Sequence, residues 1–174
     1  MTRPRTRITQ AFFVSLALVP LVIGLAACGS SGATRPSVSG PGYQFNCIPN
    51  LGGTVHCAGS NNYGQLGNGT TANSSTLVQV TAVTNVGLVG AAGGGFACQA
   101  LATGAVQCWG NNASGQLGNG TTTNSAVPVT VAGLPGPKDL SGGADFVCAV
   151  LADGTVRCWG GKASGQLAGI TLPS

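Results

Sequence analysis

The sequence is short of charge. In 174 residues it has seven Lys and Arg, three acids that are all aspartate, and one histidine. Arg3, Arg5 and Arg7 precede an apolar run, and beyond residue 28 four bases (Arg35, Lys138, Arg157, Lys162) stand against Asp139, Asp145 and Asp153. A nucleic-acid binder needs Lys and Arg gathered on one face to neutralise phosphates. No such cluster exists, so nucleic acid is excluded as a partner. Acid–base catalysis needs titratable groups that can be brought together, and so poor an inventory reads as non-enzymatic. No set of Cys, His and acids has zinc-ligand spacing, so neither a metal nor a cofactor is expected.

The few titratable residues have bland readings. Asp153 lies in an Ala-Asp-Gly turn, which turn preference explains. Asp139 and Asp145 read as solvated strand-start and loop residues, and His56 as a variable polar strand residue at the place held elsewhere by Gln107 and Arg157.

What is abundant is glycine, with 30 residues. It has no collagen period, and it stands among short valine-rich runs such as Leu77–Val80, Val86–Val89 and Pro128–Val131, with a further short run at Asp139–Ser141. Small polar residues and glycine between β-branched runs point to an all-β chain with many tight turns.

The first 28 residues read as an export signal: a basic start, an apolar run over Ala11–Ala27 and small residues at its end. An uncleaved membrane anchor is the alternative. Leu25-Ala26-Ala27-Cys28 resembles the lipobox of bacterial lipoproteins. The resemblance implies a diacylglyceryl group on Cys28, cleavage before it, and an exported protein lipid-anchored to a bacterial membrane or cell surface. Residues 29–42, rich in Ser, Gly and Pro, read as a flexible linker.

From residue 43 to 174 one pattern recurs at a period of about fifty residues, the mark of a solenoid or propeller. Cut by that period, the units run over about 43–93, 94–143 and 144–174. Each has Phe-x-Cys, nine residues, Cys, Trp or Ala, Gly, four residues and Gly-Gln-Leu. The framework residues are Gly64-Gln65-Leu66, Trp109 with Gly115-Gln116-Leu117, and Trp159 with Gly165-Gln166-Leu167. The glycines suit a tight turn, the leucine an inward position, and the glutamine a bond to backbone. No Lys and no strand-to-helix setting accompany the Gly-rich run, so it is not a phosphate loop.

Within each unit a three-residue turn with glycine last joins two strands. Counted outward from it, Cys47 faces Cys57, Cys98 faces Cys108 and Cys148 faces Cys158. If the innermost pair is hydrogen-bonded, the cysteines form non-hydrogen-bonded pairs, with Cα atoms about 4.5 Å apart, within disulfide reach. Export permits oxidation; free buried thiols and a metal site are the alternatives. Two hairpin strands and two of the short runs between hairpins make four antiparallel strands per unit, as in a β-propeller blade.

Cys-Trp-Gly-x4-Gly-Gln-Leu-Gly, the Asp-Gly-x-Val hairpin and Gly-Asn-Gly-Thr-Thr together resemble the regulator-of-chromosome-condensation repeat. More narrowly they resemble its bacterial alpha-tubulin-suppressor-like branch, in which a cysteine pair commonly brackets the hairpin. The resemblance covers roughly residues 43–171 and implies a seven-bladed propeller. This chain departs from it at Ala58, in the place of the tryptophan, and at Ala168-Gly169-Ile170. It also carries about two full units and a third hairpin, a partial arc that implies self-assembly or missing blades. The expected function is a surface-anchored binding or scaffold module recognising a protein partner. The alternatives are a truncated fragment of a larger propeller with a structural envelope role and, less supported, a hydrolase of envelope polymers using Asp139, Asp145 or His56.

Overall fold

The structure, a computed structural model, describes residues 44–50, 52–163 and 165. The export signal with Cys28, the linker, and Gln166 and Leu167 of the third repeat lie outside the described residues. Those described fold into ten strands in three antiparallel sheets, with no helix among them. The first sheet holds β1 (Phe45–Pro49), β2 (Val55–Gly59) and β3 (Ser74–Gln79) in that order. The second holds β4 (Val86–Ala92), β5 (Phe96–Leu101), β6 (Val106–Gly110) and β7 (Ser125–Thr130). The third runs β8 (Pro137–Gly142), β9 (Phe146–Leu151), β10 (Val156–Gly160). These are propeller blades: the middle one has four strands, and the outer two have three each among the described residues.

The tight turns form as their chemistry requires. In the third blade Leu151 N–H donates to Thr155 O at 2.8 Å and Gly154 N–H to Leu151 O at 3.1 Å. Gly154 has φ +84°, a region that a Cβ disfavours. That pair fixes the register outward, so Cys148 lies opposite Cys158, as Cys47 does Cys57 and Cys98 does Cys108. Their Cα atoms stand 4.0–4.1 Å apart and each pair is bonded. All six sulfurs belong to buried or half-buried residues. A bridge closing so short a loop contributes about 2–3 kcal/mol. Replacing both Cys98 and Cys108 by alanine is therefore expected to lower the unfolding free energy by about that amount. Urea titration of oxidised wild type and double mutant measures it.

The sheets and the sequence period are out of phase by one strand. The period places Val86–Ala92 at the tail of the first unit, yet β4 pairs with β5 of the second hairpin, and β8 with β9 of the third. The connection from β3 to β4 is thus the step between blades, and it carries left-handed backbone at Ala82 and Asn85 (φ +56° and +53°).

The core lies between sheets, because a blade has an apolar face on each side. Phe45, Val55, Leu66 and Val80 of the first blade pack with Ala97 and Trp109 of the second. Phe96, Val106, Leu117 and Val131 of the second pack with Leu140, Val147, Ala149 and Trp159 of the third. Consecutive blades are also joined through backbone, Gly94 N–H donating to Ala144 O at 2.6 Å.

Candidate functional site

The recurring residues divide into two internal devices. The first is a fastener between blades. The Trp109 indole, 1% exposed, reaches back to the preceding blade, where its Nε1–H donates to Gln65 O at 2.9 Å. Trp159 repeats this on Gln116 O, also at 2.9 Å. Each indole lies against a left-handed glycine, Gly67 or Gly118, where a Cβ would come within 2.8 Å of the ring nitrogen. Ala58 occupies the tryptophan position in the first blade, and no earlier blade exists among the described residues for an indole to reach.

The second device is a knot inside each Gly-Gln-Leu loop. Gln65 Oε1 accepts from Tyr63 N–H at 2.9 Å and Gln116 Oε1 from Ser114 N–H at 2.8 Å, which gives each glutamine its backbone partner. Leu66 and Leu117 are fully buried. At the centre stands an asparagine that the repeat pattern does not include. Asn112, 0% exposed, donates through Nδ2 to Thr121 O at 2.9 Å and Thr123 O at 3.0 Å, and accepts at Oδ1 from Leu117 N–H at 2.9 Å. Asn61 makes the same three bonds to Thr70 O, Ala72 O and Leu66 N–H. In the third copy the position is Lys162, which can donate but not accept, so a pattern required of all three copies omits it.

The titratable residues do not converge. Asp153 Oδ1 accepts from Thr155 N–H at 2.9 Å and from the Thr155 hydroxyl at 2.7 Å, closing the hairpin turn. The backbone bond, then the hydroxyl, holds this carboxyl below its ordinary range, with a smaller contribution from Arg157. Asp139 Oδ1 accepts from Leu140 N–H at 2.9 Å. The Asp145 carboxylate lies against Gly161 at the Gly143–Asp145 bend. His56 faces Gln79 across β2 and β3 and Ile48 across β1. No group of three or more His, Cys, Asp or Glu suited to a metal occurs among the described residues.

Because folding lowers the Asp153 pKa, its contribution to stability is fully present above the unfolded carboxylate's range. It fades as pH falls through the lower folded value. The thermal midpoints of wild type and Asp153→Ala are thus expected to differ at neutral pH and to converge in strong acid. Melts across that pH range measure the difference.

Beside these internal devices, some exposed positions differ between the copies. Asn62 and Tyr63 in the first loop become Ala113 and Ser114 in the second, all four exposed, and Tyr63 keeps 46% of its surface. The hairpin tips differ at one exposed position, Thr103 against Asp153.

A family model described as "Regulator of chromosome condensation (RCC1) repeat" matches residues 52–101 and 103–150, and a second model of that description matches residues 138–166. The chain belongs to the RCC1 repeat family. Among curated RCC1-type relatives, the human E3 ubiquitin-protein ligase HERC2 is 36% identical over 98 residues, which is 56% of this chain and 2% of that protein. The X-linked retinitis pigmentosa GTPase regulator of Canis lupus familiaris is 32% identical over 117 residues, 66% of this chain and 10% of that protein. The chain thus spans a small part of either relative. Among solved structures, that of human WBSCR16 superposes with a TM-score of 0.66 at 24% identity, covering 75% of this chain and 35% of that one. That likeness concerns the RCC1 propeller fold.

Proposed function

We propose that this RCC1-repeat chain is a non-enzymatic binding module that recognises a protein partner and is held on a bacterial membrane by a lipid on Cys28. One observation carries the recognition reading. In the first two loops the recurring polar groups are spent on internal bonds, while exposed positions beside them differ between the copies. Gln65, Gln116, Asn61, Asn112 and both tryptophans are buried and bonded within the fold. Asn62, Tyr63, Ala113 and Ser114 are exposed on that frame. Variable loops on a rigid scaffold suit recognition, and propellers of RCC1 repeats commonly mediate protein interactions. The basic start, the apolar run and the Leu25–Cys28 ending support export and acylation.

Two measurements test this. Intact mass of the mature N terminus is expected to show an acylated Cys28, and Cys28→Ser is expected to release the protein from the membrane fraction. An unmodified N terminus rules the anchor out. Affinity capture from envelope extracts is expected to retain a stoichiometric partner that is lost when Asn62 and Tyr63 are replaced by alanine. Capture unaffected by those changes, or of this chain alone, favours a scaffold instead.

A further inference from the structure

The first two hairpin bridges are sealed inside the joints between blades. Cys47 and Cys57 keep 3% and 0% of their surface, and Cys98 and Cys108 keep 2% and 0%. Strand alternation turns each pair toward the face that carries the next blade. Cys47 and Cys57 stand with Phe45 and Val55 in a cluster that Ala97 and Trp109 of the second blade join. Cys98 and Cys108 stand with Phe96 and Val106 in a cluster that Val147, Ala149 and Trp159 of the third blade join. The tryptophan bonds to Gln65 O and Gln116 O fasten the same two joints.

This burial has a chemical consequence. A disulfide is made or broken by a thiolate that attacks a sulfur and forms a mixed disulfide with it. To make one of these bonds, a hairpin thiolate attacks the oxidant's disulfide, and the second hairpin thiolate then displaces the oxidant's sulfur. The oxidant leaves as a dithiol, which takes up the two protons that the hairpin thiols lose. Both steps need a foreign sulfur in contact with the hairpin cysteines, and in the closed joint Cys57 and Cys108 have no exposed surface to offer it.

The order of the chain supplies an open state. Each cysteine pair is complete ten residues after it begins, and it precedes every strand of the blade that covers it. A hairpin closes through contacts near in sequence, whereas stacking of the next blade needs contacts far apart, which form more slowly.

We propose that Cys47–Cys57 and Cys98–Cys108 are installed by a disulfide-donating oxidant on the open hairpin, before the following blade stacks, and that stacking then locks them against exchange. The reaction that supplies these bonds is thus a thiol oxidation that acts on the folding chain rather than on the folded protein. Exchange is reversible, so the opened joint that admits an oxidant is also the one that admits a reductant. The inference concerns how the frame is made, so it stands or falls apart from the recognition reading above.

The test treats the full chain, folded and oxidised, with dithiothreitol, then alkylates the thiols released at each pair and maps them by mass over time. Both pairs are expected to lag far behind the same pairs in the urea-unfolded chain. Trp109→Ala is expected to speed reduction of Cys47–Cys57 by about tenfold or more, because it empties that joint and raises its open population. Cys98–Cys108 keeps its rate in that variant. Trp159→Ala does the converse, speeding Cys98–Cys108 and leaving Cys47–Cys57 unchanged. Trp109→Phe and Trp159→Phe, which lose the donor but keep most of the volume, sort the two pairs in the same way with smaller effects. Reduction of either pair in the folded wild type as fast as in the unfolded chain overturns the proposal. Equal speeding of both pairs by each of the four variants overturns it too.

Discussion

Trp109→Ala is expected to lower the unfolding free energy by about 3–5 kcal/mol, the cost of emptying a buried aromatic site. The loss has two parts. The indole fills the joint between the first two blades beside Leu66 and Val80, and its Nε1–H is the partner of the Gln65 carbonyl. Truncation leaves a cavity and also an unpaired buried acceptor. Trp109→Phe keeps most of the volume and loses the donor, so it is expected to cost about 1–3 kcal/mol. Urea titrations of the three proteins measure both parts. A small loss in Trp109→Ala, about 1 kcal/mol or less, would show that the blades hold together without the fastener. The expected change is a large share of a stability of about 5–15 kcal/mol, so the alanine variant is expected to loosen the joint between blades first.

Asn112→Ala comes next, at about 2–4 kcal/mol, from three backbone groups in a loop that has no strand or helix to satisfy them. The amide is one short side chain that donates twice and accepts once, and no single replacement does the same. Asn112→Asp is the sharper variant. It keeps the acceptor for Leu117 N–H but turns the donor into a second acceptor facing the Thr121 and Thr123 carbonyls. It is expected to destabilise as much as alanine at neutral pH and to recover in acid, where a protonated carboxyl can donate again. Hydrogen exchange at the Leu117 amide reports the same event locally, speeding up in both variants. If that amide keeps its protection in Asn112→Ala, the loop is held by its glycines and leucine rather than by the asparagine.

Much of the frame is legible in the order of the residues. The cysteine pairing follows from counting outward from a three-residue turn, because alternation in a strand is strict and the turn sets which residues face each other. The all-β class follows from glycine-bounded β-branched runs, and the inward Leu66 and Leu117 from their recurrence beside a turn. Asn61 and Asn112 are hidden for a specific reason. The third copy carries Lys162 there, so the strictest repeat pattern excludes the residue that organises the loop in the other two. The sheet phase is hidden too. The period puts Val86–Ala92 at the tail of the first unit, and only the pairing of β4 with β5 assigns it to the second blade.

By itself the sequence determined the local geometry of this protein: turns, the register of the hairpins and their disulfide partners. Each of these depends on residues within about a dozen positions of one another, where backbone stereochemistry and alternation leave few choices. The tertiary structure decided what those pieces are for. Only it shows that each tryptophan fastens backward onto the preceding blade's loop and that the recurring amides are consumed internally. The tryptophan bonds join residues more than forty positions apart, Trp109 to Gln65 and Trp159 to Gln116. A repeat pattern shows that such residues matter, but not which copy each of them touches.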